Sequence, residues 1–172
     1  MALPHVHRLG TDDFLAIDGL PQRVELIDGV VCAMSPEGAT HAEAQALVLR
    51  RLMAALDEWS VVAGGSVRVT EHFCPIPDAA VYPRGADGDA WYAGADARLI
   101  VEVGVATAAA DRSVKLAGYA GGSVAEVWLI APAEGTLTCH RDPVDGRYRD
   151  VWALAWPDGL PAAVDRLVAR LG

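Results

Sequence analysis

The chain has 172 residues, 52% of them hydrophobic and 22% charged, which suits a single globular domain over residues 1–172 with a sizeable core and excludes a disordered chain. Its 23 acidic against 14 basic residues give a formal net charge of −9, so long-range attraction to nucleic acid is disfavoured and a simple DNA-binding module is argued against. Apolar runs such as 124–133 are broken by charge, Gly or Pro well short of a membrane span, and MALPHVHRLG lacks the apolar centre of a signal peptide; no membrane association and a cytoplasmic location are expected.

Thr11 to Gly19 opens on an N-cap residue, places acids in its first turn and ends at Gly, which predicts a short helix. Between Arg23 and Met34, two apolar runs flank Asp28-Gly29, a strong hairpin signal. Thr40 to Trp59 reads as the longest helix, with Ala42, Ala46, Leu49, Met53 and Leu56 as an apolar stripe at helical spacing. Ser66 to His72 alternates like a strand, and Asp78 to Tyr82 follows Pro75-Ile76-Pro77, which fixes an extended approach to a second strand. Residues 83–96, rich in Gly, Ala and Asp, read as a surface loop.

Leu99 to Val103 is an apolar, β-branched strand interrupted by Glu102, and a helix follows it. Ser123 to Pro132 reads as another buried strand. Thr136 to His140 and Arg147 to Ala153 form a second hairpin across residues 142–146, and Leu160 to Leu171 is a terminal amphipathic helix with Pro161 at its first position. This order predicts an α/β fold, a mixed β-sheet flanked by helices with N-terminal and C-terminal hairpins. Cys32, Cys74 and Cys139 are odd in number and show no C-x-x-C spacing, so they read as reduced, packed thiols.

A carboxylate inside an apolar strand is costly unless a cation, a metal or several donors compensate it. Asp78 and Glu102 stand on two such strands, and neighbouring strands would bring them together. Two like charges there raise one another's pKa unless a cation intervenes. Magnesium or manganese would accept both carboxylates and the adjacent Val103 carbonyl while leaving room for a phosphate oxygen. Asp111, Lys115 and Tyr119 recur every four residues along one helix face. Lys115 would reach the attacking water or the scissile phosphate, Tyr119 would bond the same group or simply pack, and Asp111 would orient Lys115 or cap the helix. The plainer alternative makes Glu102 a frayed strand end and Asp111 and Lys115 an exposed pair. His41, near a helix start, reads as a neutral structural histidine or a phosphate contact. Among Cys32, His41, His72 and Cys74 no pair apart from His72-Phe73-Cys74 has finger-like zinc spacing, and no G-x-S-x-G elbow supports a serine hydrolase.

Glu25-Leu26-Ile27-Asp28-Gly29, Met34-Ser35-Pro36 with His41 beyond it, Pro77-Asp78, Val101-Glu102-Val103, then Asp111, Lys115, Tyr119 and Glu126-Val127-Trp128-Leu129-Ile130 occur in that order. Together they resemble the Uma-two family of restriction-endonuclease-like bacterial proteins, placed in the PD-(D/E)XK nuclease superfamily. The resemblance implies a restriction-endonuclease-like fold and a metal-dependent endonuclease acting on DNA. It implies Asp78 and Glu102 as metal-binding acids and a contribution from Glu25. Residue 104, where the superfamily carries its strand lysine, is Gly, so the resemblance implies that the lysine has moved to the helix as Lys115. A homodimer is expected if both strands of a duplex are to be cut. The alternative expectation is a catalytically inactive nuclease-fold binding or assembly module.

Overall fold

The hairpin at Asp28-Gly29 forms as read in the computed structural model, which describes residues 8–21, 23–85, 91–104 and 109–172, for 109–111 the backbone alone. Ahead of it stands α1 (Thr11–Leu15), shorter than the segment 11–19. Its cap is Gly10 rather than Thr11; the Thr11 hydroxyl donates to the Thr70 carbonyl at 2.8 Å and so is engaged elsewhere. The hairpin strands β1 (Val24–Ile27) and β2 (Val30–Ala33) pair antiparallel. Asp28 and Gly29 lie at φ 51° and 77°, the two left-handed residues that a tight hairpin turn requires.

The long helix α2 (Ala39–Ala55) ends before the predicted Trp59, which instead opens β3 (Trp59–Val62). Its buried face is Ala44, Val48 and Leu52, not the predicted stripe, of which only Leu56 is buried and Met53 is exposed. The reason is that α2 carries apolar residues on more than one side, so its periodicity has no sharp phase and the packing partner decides.

Of the predicted strand at 66–72, only β4 (Val67–Arg68) forms. Beyond it the chain folds back on itself, the Val69 and Thr70 N–H groups donating to the Phe73 carbonyl, and only His72 and Cys74 bond to the first hairpin. Next comes β5 (Ala79–Pro83), beginning one residue after Asp78. The segment read as loop contains β6 (Tyr92–Ala93), parallel to β4, and a 3₁₀ turn at Gly94–Asp96, while residues 86–90 lie outside the described residues.

The rest follows the sequence closely: β7 (Leu99–Val103), α3 (Ala109–Gly121), β8 (Glu126–Ala131), β9 (Thr136–Val144), β10 (Arg147–Ala155) and α4 (Leu160–Leu171). The second hairpin is tighter than expected, turning on Asp145 and Gly146 at φ 50° and 72°. In α4, Leu160 takes the first helical position and Pro161 the second.

Six strands form the main sheet in the order β10-β9-β8-β7-β5-β3, with only β7 and β8 parallel, joined through α3. Strand alternation divides the core in two. Ala79, Val81, Leu99, Val101, Val103, Trp128 and Ile130 pack under α2 and α4. Ala80, Tyr82, Ile100, Val127 and Leu129 pack with Tyr119 of α3 and with Phe73. Among the described residues, no helix is long and apolar enough to cross a membrane.

Candidate active site

Where β5 meets β7, a side chain continues the ladder. Asp78 donates its backbone N–H to the Val101 carbonyl at 3.0 Å, and its Oδ2 accepts the Val103 N–H at 2.6 Å. A strand residue's N–H and C=O leave by the same edge, so the Val103 carbonyl projects from the edge that Asp78 occupies. Glu102, between Val101 and Val103, points by alternation to the opposite face, towards α3.

On α3, Lys115 and Tyr119 stand one turn apart and converge on Glu102. The Lys115 ammonium lies 3.2 and 3.1 Å from the two Glu102 oxygens and 3.1 Å from Glu25 Oε1, and the Tyr119 hydroxyl donates to Glu102 Oε1 at 2.5 Å. The same Glu25 oxygen accepts the Ile76 N–H at 2.9 Å, which anchors β1 to the strand entry before Asp78. Glu102 is therefore no frayed strand end, and Lys115 pairs with Glu102 and Glu25. The Asp111 side chain, expected on the same face, lies outside the described residues.

Three acids, Glu25, Asp78 and Glu102, are thus 5–7% exposed around one groove. Burial pushes Glu102 up to about 7 even with Lys115 pulling the other way, and Glu25 adds to the rise. Burial likewise raises Asp78, against the Val103 N–H and His41. For Lys115, burial alone would favour the neutral amine, but Glu102 and Glu25 more than reverse it, and the ammonium stays charged. Tyr119, buried beside Glu102, is raised well above the ordinary phenol range and remains a donor.

The other wall comes from the start of α2. His41 Nε2 lies 3.0 Å from Asp78 Oδ1 and 3.4 Å from Glu37 Oε2, while Gln45 donates to the Asp78 carbonyl at 2.9 Å. The sequence reading missed Glu37, which sits in a polar turn; its i,i+4 spacing to His41 was the available signal. Gly104 follows Val103 at φ +79°, and a Cβ there would stand 3.1 Å from His41 Nδ1. A lysine at 104 would be strained in backbone and crowded by the imidazole. Residues 105–108 lie outside the described residues.

The groove has a volume of about 830 Å³ and is closed on one side by the first hairpin. Its donors fit a hard divalent cation: two buried carboxylates and a backbone carbonyl, all oxygen, in a place where burial makes each negative charge unfavourable without a counter-ion. Such a set is unlike the thiolate and imidazole cage of a structural zinc.

The sequence model of the Uma2 family, described as "Putative restriction endonuclease", matches residues 11–164. The structure is similar to the crystal structure of "a putative nuclease belonging to DUF820 from Anabaena variabilis ATCC 29413", with a TM-score of 0.69 and 14% identity over 95% of this chain and 99% of that one. At that identity the likeness is one of fold, and the fold is the expected restriction-endonuclease-like sheet between helices. No curated protein matches the chain.

Proposed function

Since this chain belongs to the Uma2 family, we propose that it is a nuclease that hydrolyses phosphodiester bonds in DNA with the help of magnesium or manganese. One observation carries the reading: Lys115 stays charged between Glu25 and Glu102 on the groove that Asp78 also lines. A buried ammonium beside two strand-end carboxylates is what an attack on a phosphate needs, and a purely structural role gives no reason to leave it facing a groove.

Asp78, Glu102 and the Val103 carbonyl would hold the cation. When bound, a divalent ion supplies positive charge against the phosphate oxygens and the departing oxygen. The protein's own groups do the rest. Lys115 offers its N–H donors to the incoming water or a non-bridging phosphate oxygen, fixing the line of attack and offsetting the charge that builds there. Tyr119 holds one oxygen of Glu102 and so sets the rotamer of that carboxylate. Glu25, fixed by the Ile76 N–H, keeps Lys115 from swinging away. A symmetric pair of chains would present two such grooves to the two strands of a duplex.

The test is cleavage of supercoiled and linear DNA with magnesium or manganese. Asp78→Ala and Glu102→Ala should abolish cleavage while keeping the wild-type circular dichroism spectrum, and Lys115→Ala should lower kcat by roughly 10²–10³-fold, the loss typical of one transition-state donor. Protein that cleaves no nucleic acid with either ion, or variants that cleave normally, would leave a nuclease-shaped binding module instead.

A further inference from the structure

We infer that Glu37, His41 and Asp78 form a second cation position, next to the one held by Glu102 and the Val103 carbonyl, and that it prefers manganese to magnesium. Glu37, His41 and Asp78 each present one ligand atom, and these atoms lie within 4.8 Å of one another.

How the two carboxylates are anchored carries the inference. Asp78 spends Oδ2 on the Val103 N–H and turns Oδ1 to His41 Nε2. Glu37 pairs Oε1 with Arg23 and turns Oε2 to the same nitrogen. Each acid is thus tied down through one oxygen and turns the other to a common point, the His41 nitrogen. That arrangement fixes ligand positions before any ion arrives, which lowers the ordering cost of binding.

The spacings also match a coordination sphere. Donors about 2.1 Å from an octahedral ion lie about 3 Å apart when adjacent and a little over 4 Å when opposite. The His41 nitrogen stands 3.0 Å from Asp78 Oδ1 and 3.4 Å from Glu37 Oε2, both near the adjacent spacing. Small side-chain adjustments would open the triad around an ion in contact with the groove. Two carboxylates and a neutral imidazole carry a charge of about −2, which a divalent ion cancels.

Imidazole distinguishes this position from its neighbour. Nitrogen donors strengthen binding of first-row transition metals, whereas magnesium favours oxygen and holds its water. Asp78 would serve both positions, Oδ1 here and the second lone pair of Oδ2 at the oxygen site, so the two would be coupled through one residue.

The experiment is manganese binding to the full chain by calorimetry and pulsed electron paramagnetic resonance, on wild type, His41→Gln and Glu102→Gln. Wild type should bind two manganese ions per chain, with ¹⁴N modulation from a coordinated imidazole. His41→Gln should keep one ion and lose the ¹⁴N signal, while Glu102→Gln should keep one ion and the ¹⁴N signal. Magnesium should displace the imidazole-bound ion at least about tenfold less effectively than the other. Two ions in His41→Gln, or a ¹⁴N signal unchanged by that substitution, would overturn the second position while leaving the Glu102 site and the nuclease reading standing. Binding of a single ion lost in Glu102→Gln but not in His41→Gln would do the same, and binding of no ion would defeat both.

Discussion

Glu102 is held against an ammonium, yet burial still lifts it to about 7. Its folded pKa lies above the ordinary 4.5, so between about 7 and 4.5 the folded state binds the proton that the unfolded chain has released. Stability from this group is fully present below 4.5 and is lost as the pH rises through 7. In the metal-free protein, held in chelator, acidification from pH 8 to 5 should therefore raise the Glu102 contribution by up to about 3 kcal/mol. Glu102→Gln, which imitates the neutral acid, should be the more stable protein at pH 8 and should lose this dependence. Denaturant melts of the two proteins at pH 5 and pH 8 give the comparison, and curves that stay parallel would contradict it. Residues of this kind were legible in the sequence because a charge inside an apolar strand has no plain structural reason, and Lys115 and Tyr119 were legible by their helical spacing. Glu37 was not, because its link to Asp78 is made only when α2 packs on the sheet.

The helix α3 delivers both Lys115 and Tyr119, so what seats α3 also sets the geometry around Glu102. At Gly118 the helix comes close to Phe73, where a Cβ would stand 2.8 Å from the ring, and Phe73 in turn packs edge-on against Tyr119 with ring centroids 5.2 Å apart. Gly118→Val should overpack that contact and cost about 1–3 kcal/mol. It should also shift α3 enough to lower the cleavage rate, although residue 118 touches no acid of the groove; thermal melts and single-turnover rates read the two effects. A variant as stable and as active as wild type would mean that Gly118 does not seat the helix. On the other side of the sheet, α2 shows the limit of periodicity. Ala42, Ala46, Leu49 and Met53 form as good a stripe as Ala44, Val48 and Leu52, and the choice between them is made by the sheet. The strand predicted at 66–72 is cut to Val67–Arg68 because Val69 and Thr70 turn back to bond the Phe73 carbonyl, a local turn that alternation does not reveal.

Across the whole molecule, sheet order brings together residues that lie far apart in the chain. Pairing β5 beside β7, and β7 parallel to β8 through α3, places Asp78, Glu102 and Lys115 on one groove, while the first hairpin adds Glu25. The strands themselves were legible; their order was not, because pairing partners are chosen by tertiary packing. The groove they build is acidic in a protein of net charge −9. Two of its lining acids, Asp28 and Glu37, are paired with Arg8 and Arg23. On the proposed reading, approach of a polyanion to such a surface would depend on bound divalent cations rather than on a basic face. The most direct measurement is therefore anomalous diffraction at the manganese edge from a crystal soaked in manganese. The expected result is a peak about 2.2 Å from Asp78, Glu102 and the Val103 carbonyl oxygen, with the Lys115 ammonium facing the same space. A soaked crystal with no peak between Asp78 and Glu102, and Lys115 still bound to both of its carboxylates, would contradict a metal-dependent centre in this groove.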